Sequence, residues 1–219
     1  MIDLHTHLLP GLDDGARSWE EASEMAQTAA ESGISVAAAA CHANLPGRET
    51  SGLVREYRKR LEKLKELLKK YRTPLELVEG MEIMDGPELI RKLKRGDLLT
   101  INQTRYVLVE VLPDAPAWQV YRMLDHLLEE EYYPVLAHPE RYRCVQKTPA
   151  QHERVGGYGM HPPDRQREHL RQVWGSGYDY RRISFAEKTR SSGGLRRSSG
   201  GLPYNGAGGS AGFSGKTLW

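Results

Sequence analysis

Over the first 150 residues, short apolar runs alternate with amphipathic helical stretches five times, and no other feature limits the possible folds so strongly. Residues 2–4 read as a strand that gives way to a Pro/Gly/Asp loop. Ser18-Trp19-Glu20-Glu21 fits a capping box, with Ser18 as N-cap and Glu21 at the third helical position, and opens a helix that stops at Gly33. Residues 34–40 form a nearly apolar run, the pattern of a strand buried on both faces. A long helix over 51–71 places Leu53, Leu61, Leu64 and Leu68 on one face and Lys, Arg and Glu on the other. Pro74 ends it, and 75–79 is the third strand. Pro87 suits the first turn of a short helix over 88–95, closed by Gly96. A fourth strand over 106–111, an amphipathic helix over 117–131 and a fifth strand over 134–137 complete the series. Strands alternating with helices predict an α/β fold of parallel βαβ units, with ligands gathered at the carboxyl ends of the strands.

The side chains able to hold a metal fall at those ends. His5 and His7 follow the first strand, with Asp13 and Asp14 in the loop behind them. His42 ends the second strand, Glu82 sits just past the third, Glu110 falls near the end of the fourth, and His138 ends the fifth. In a β/α barrel the carboxyl ends of the strands converge on one rim, so separate repeats can supply one site. Imidazole with carboxylate suits borderline divalent ions such as Mn, Fe or Zn. Taken singly, each residue has an ordinary explanation. His-x-His puts two side chains on one strand face, His42 could be a capped loop residue, Glu110 could pair with a Lys or Arg, and Asp13 and Asp14 could form an Asx turn with Gly15. Together they would bury several carboxylates and imidazoles in one place, which is costly without a cation. His126, between Asp125 and Leu127, reads as a surface residue, and His152, His161 and His169 have no strand to position them.

Composition divides the 219 residues into two unlike parts. Residues 1–150 carry 20 Lys+Arg against 24 Asp+Glu, a net charge of −4, whereas 151–219 carry 11 against 5, a net +6. Fourteen of the 22 glycines lie in that shorter second part. From Ser191 onward the Gly/Ser/Arg-rich sequence has no helical or strand period and too little apolar surface to offset its ordering entropy, so a disordered tail is expected. Its arginines are scattered without interleaved aromatics, which argues against nucleic-acid binding. The longest nearly apolar run, 34–41, falls far short of the ~20 residues that span a bilayer. No basic-then-apolar leader opens the sequence, and Cys41 and Cys144 cannot form a disulfide framework. A reduced, cytoplasmic protein without membrane insertion is expected.

Six motifs occur in order: Met1-Ile2-Asp3-Leu4-His5-Thr6-His7, Asp13-Asp14-Gly15, Cys41-His42, Gly80-Met81-Glu82-Ile83, Arg105-Tyr106-Val107-Leu108-Val109-Glu110 and His138-Pro139-Glu140-Arg141-Tyr142. The series resembles the polymerase-and-histidinol-phosphatase (PHP) superfamily, and most closely its manganese-dependent bacterial protein-tyrosine phosphatases of capsule and exopolysaccharide operons. The resemblance implies a distorted β/α barrel with up to three divalent ions, Mn2+ foremost, at its rim. Position by position, it makes His5, His7, Asp14, His42, Glu82, Glu110 and His138 metal ligands. Arg141 becomes the residue that orients the substrate phosphate. Glu82 is the expected bridge between two ions, and Asp14 and His138 complete the cluster and assist proton transfer. The implied substrate is a phosphotyrosine protein, in this family the tyrosine-rich tail of a polysaccharide-assembly kinase. A small phosphate monoester, or a remnant that binds metal or phosphopeptide without turnover, is the alternative.

The resemblance stops after Cys144. Family members continue through further strand–helix units to a late Asp-x-His element, and nothing after residue 150 matches it. The expectation is therefore a partial barrel over 1–150, a non-matching segment over 151–219, and a shift of reading frame near 147–155 that impairs activity. The rival tyrosine-phosphatase chemistry needs Cys-x5-Arg, but Cys41 leads to Gly47 and Cys144 to Ala150. A metal-dependent amidohydrolase would need a bridging Lys at a strand end, and none is there.

Overall fold

The computed structural model describes residues 1–147 and a two-residue strand at 183–184, and among them every strand pairing is parallel, as the alternation predicts. In chain order the elements are β1 (Ile2–Thr6), α1 (Trp19–Glu31), β2 (Val36–Ala39), β3 (Cys41–Ala43), α2 (Leu53–Tyr71), β4 (Glu76–Val78) and β5 (Met81–Met84). They continue with α3 (Leu89–Arg95), β6 (Tyr106–Glu110), α4 (Ala117–Glu129), β7 (Tyr133–Leu136), α5 (Arg143–Lys147) and β8 (Ile183–Ser184). The strands form two sheets, β8-β1-β2-β4 and β3-β5-β6-β7.

The second and third strands expected from sequence are each two strands, one in either sheet. β2 hands over to β3 at Ala40, and β4 to β5 at Glu79 and Gly80. The same offset of forty residues holds on both sides of the break, Val36 opposite Glu76 and Cys41 opposite Met81, so the two broken strands bend together. At the bend the ladder is replaced by local bonds: Ala40 N–H donates to the Ala38 carbonyl (2.9 Å), and Gly80 N–H to the Tyr57 hydroxyl of α2 (2.9 Å). A side chain at Gly80 would press on the Ala38 methyl group at 3.3 Å. Because of the bend, His42 lies inside β3 and Glu82 inside β5, rather than past strand ends as expected.

The strands wrap a small interior. Ile2 and Leu4 of β1, Val36 and Ala38 of β2, Val78 of β4, Leu108 of β6 and Val135 of β7 share one buried cluster, so the first and last strands of this run meet across it. Ala38 and Ala40 keep that interior narrow, while Ala37 and Ala39 face the outer core. The helices pack outside it, on a larger core that includes Ala22 and Ala26 of α1, Tyr57, Leu61, Leu64 and Leu68 of α2, and Leu124 and Leu127 of α4. Ser18 caps α1 by accepting from Glu21 N–H (3.2 Å), while the Glu21 carboxylate reaches past the cap to Arg17 N–H (2.8 Å).

Other boundaries shift modestly. Leu53 opens α2 rather than lying inside it, Pro87 precedes α3 instead of occupying its first turn, and α4 ends two residues before the expected boundary. Among the described residues no helix is long and apolar enough to cross a membrane. The expected disorder of the tail and the expected frame shift concern residues that lie outside those described, apart from β8, which pairs with Ile2 and Asp3 of β1.

Candidate metal centre

Direct strand pairing assembles the site. His42 and Glu82 are opposite one another on β3 and β5, and Met84 of β5 is opposite Glu110 at the end of β6. His5 belongs to β1, His7 follows it, and His138 stands just beyond β7. His138 adopts a left-handed conformation (φ 33°, ψ 56°) immediately before Pro139, a position that disfavours it sterically. Tyr142 supports this turn: its buried hydroxyl donates to the Ala137 carbonyl (2.8 Å), and its ring meets the His138 imidazole edge-on at 5.8 Å.

Glu82 is the centre of the cluster and is almost wholly buried, at 1% exposure. Its Oε2 lies 3.0 Å from His5 Nε2, 3.0 Å from His7 Nε2 and 3.1 Å from His42 Nδ1, yet none of these nitrogens is oriented to hydrogen-bond it. Its Oε1 lies 2.8 Å from His138 Nε2. The Glu110 carboxylate reaches His42 Nδ1 (2.9 Å) and His138 Nε2 (3.5 Å), with no Lys or Arg among its ion-pair partners in the described residues. His5 Nε2 and His7 Nε2 stand 3.1 Å apart. Asp14 is 64% exposed, with one oxygen 3.5 Å from His42 Nε2.

A buried oxygen surrounded by three imidazole nitrogens and left without a hydrogen bond is a poor arrangement for a metal-free protein and a good one for a cation. Three overlapping sets each bring their donor atoms within 4.8 Å of one another: His5, His7 and Glu82; His7, Asp14 and His42; His42, Glu82 and Glu110. Nitrogen and carboxylate donors in these sets fit a borderline divalent ion. Protonation follows the same packing. Burial disfavours a charged His7 ring, but Asp13 and Glu82 outweigh it and hold its pKa up at about 9; Glu110 and Glu82 do the same for His138, also at about 9. Burial likewise opposes ionisation of Glu82, yet the imidazoles of His138, His5 and His7 hold its carboxyl far below the usual range. A cation entering here displaces protons from nitrogens that would otherwise retain them.

The structure thus brings His5, His7, Asp14, His42, Glu82, Glu110 and His138 together. Arg141 is not drawn in: it shares the His138 turn, but its half-exposed guanidinium pairs with Glu140 at 3.8 Å. One contributor escapes a sequence reading: Tyr142 carries no signal beyond its place in the motif. Asp13, placed beside Asp14 among the side chains able to hold a metal, adopts the Asx turn, accepting from Gly15 N–H (2.8 Å). Cys41 is buried behind the site. Burial, reinforced by the charges of Asp13 and Glu82, pushes its thiol up to about 12, far from a nucleophilic thiolate.

Residues 1–161 match the family described as capsular polysaccharide synthesis, CpsB/CapC. The tyrosine-protein phosphatase YwqE of Bacillus subtilis is 35% identical over 151 residues, covering 68% of this chain and 58% of that protein. The putative tyrosine-protein phosphatase CapC of Staphylococcus aureus is 28% identical over 145 residues, covering 66% and 56%. CpsB of Streptococcus pneumoniae, a tyrosine-protein phosphatase, is 27% identical over 148 residues, covering 68% and 60%. The chain therefore spans somewhat less than two thirds of the length of these relatives. Among solved structures, a chain from the crystal structures of YwqE and CpsB, described as unique metal-dependent tyrosine phosphatases, superposes with a TM-score of 0.64 at 32% identity. The superposition covers 73% of this chain and 64% of that one.

Proposed function

Because this chain belongs to the CpsB/CapC family, we propose that it descends from, and retains the centre of, a metal-dependent phosphatase acting on phosphotyrosine in proteins. The observation that carries the reading is the Glu82 oxygen that three imidazoles surround and none hydrogen-bonds. On this reading His5, His7, Asp14, His42, Glu82, Glu110 and His138 hold up to three divalent ions, manganese first among them, within a domain spanning 1–150. The substrate is the tyrosine-rich tail of a polysaccharide-assembly kinase, met in the cytoplasm.

Hydrolysis of a phosphate monoester is extremely slow unaided, so the site must neutralise the ester and deliver water in line. Bound ions supply Lewis-acid neutralisation of the phosphoryl oxygens and lower the pKa of water. The chain's own groups do the rest. Glu82 offers two oxygens to separate neighbours and so sets the spacing within the cluster. His138, held to Glu82 through Nε2, is placed to hold or release a proton at that atom. Asp14, exposed at the rim, can take a proton from the solvent side. Arg141, whose guanidinium pairs among the described residues with Glu140 alone, can swing onto the phosphate and grip it through two N–H donors.

Turnover of a phosphotyrosyl peptide and of 4-nitrophenyl phosphate tests the reading. Manganese-dependent hydrolysis that is abolished by a chelator and unaffected by thiol alkylation is expected. Loss on alkylation with indifference to the chelator would overturn the metal chemistry. Metal binding without turnover would identify a binding remnant instead.

A further inference from the structure

Asp13 and Asp14 are neighbours in sequence with opposite surroundings. The Asp14 side chain is 64% exposed, whereas that of Asp13 is 4% exposed and fully engaged. Its Oδ2 accepts from His7 Nδ1 (2.5 Å) and from the backbone N–H of His42 (3.0 Å), and its Oδ1 from Gly15 N–H (2.8 Å). One carboxylate therefore ties the loop after β1 to strand β3. It lies on the Nδ1 side of the His7 ring, away from Nε2, which stands 3.0 Å from Glu82 Oε2.

An ionised carboxylate only accepts hydrogen bonds, so Asp13 holds one His7 proton on Nδ1, and a cation that displaces the other ring proton finds the lone pair on Nε2. A histidine that ligates through one nitrogen commonly has the other oriented in this manner. We propose that Asp13 is a positioning residue: it sets the tautomer of His7, pins the main chain at His42, and so presents both imidazoles to the cations without ligating one itself. The inference rests on the metal centre proposed above and goes beyond it, because it assigns to the buried aspartate a role separate from that of its exposed neighbour.

Asp13→Asn keeps the shape and removes the charge. A single carbonyl oxygen cannot fill both positions. In the Oδ1 place it leaves the amide N–H facing His7 Nδ1 and His42 N–H, which drives the ring proton to Nε2, the atom a cation needs bare. In the Oδ2 place it loses the Gly15 bond and the charge that holds the His7 proton. Manganese affinity, followed by the electron paramagnetic resonance of the free ion in the full chain, should weaken on the order of 10- to 100-fold. The circular dichroism of the metal-free protein should not change. A second measurement avoids the variant altogether: in the zinc-loaded parent, nitrogen-15 spectra should show His7 ligated through Nε2 with its proton on Nδ1. Equal manganese affinity in parent and variant, or ligation through Nδ1, would overturn the role of Asp13 and leave the metal centre standing. A parent that binds no manganese would remove both. Binding with the expected dependence but no phosphatase turnover would support Asp13 while removing the hydrolytic reading.

Discussion

At Gly15 the chain folds back onto its own metal-site histidine: a Cβ there would sit 2.3 Å from the His7 carbonyl oxygen and 2.4 Å from the His7 Cβ. The same carbonyl accepts from Ala16 N–H (3.1 Å), so the loop has little freedom to retreat. Gly15→Ala should therefore cost about 3 kcal/mol and weaken cation binding, since His7 must move. Thermal denaturation with and without manganese checks both, and an unchanged melting temperature would show that the loop can relax. At this scale the imidazoles and glutamates were legible in the sequence, because their residue types recur where strands end. What separates Asp13 from Asp14 was not legible. Two identical side chains side by side differ only in which one the loop turns inward, and that is decided by the distant backbone of His42.

Helix α2 joins the two halves of the bend by packing Leu61, Leu64 and Leu68 into the outer core and lending the Tyr57 hydroxyl to Gly80. Leu64 is fully buried, so Leu64→Ala should destabilise the protein by about 2–5 kcal/mol. Tyr71→Ala, on the exposed end of the same helix, should stay within about 0.5 kcal/mol. Denaturant unfolding of the two variants gives the comparison, and similar losses would mean that the helix does not pack as described. The elements themselves were readable from apolar periodicity and from the caps at Ser18 and Gly33. Their bends were not. From β2 to β3 the residues stay apolar through Cys41, and at both handovers the register stays constant, so only the pairing partner changes, and a one-dimensional pattern does not record that.

For the whole molecule, the decisive feature is that residues separated by most of the described chain converge on one carboxylate. Family membership, parallel topology and the donor cluster agree on residues 1–147, while the net positive, glycine-rich remainder was distinguishable in composition alone. The convergence of His5 with His138, whose rings lie 5.7 Å apart, followed from no local signal; it came from matching strand ends to one rim. Anomalous diffraction from crystals grown with manganese tests that convergence most directly. The account predicts manganese peaks within bonding distance of Glu82 and of the imidazoles of His5, His7 and His42, and their loss in Glu82→Gln. Crystals with no peak at this carboxylate, or with manganese bound only elsewhere on the surface, would contradict it.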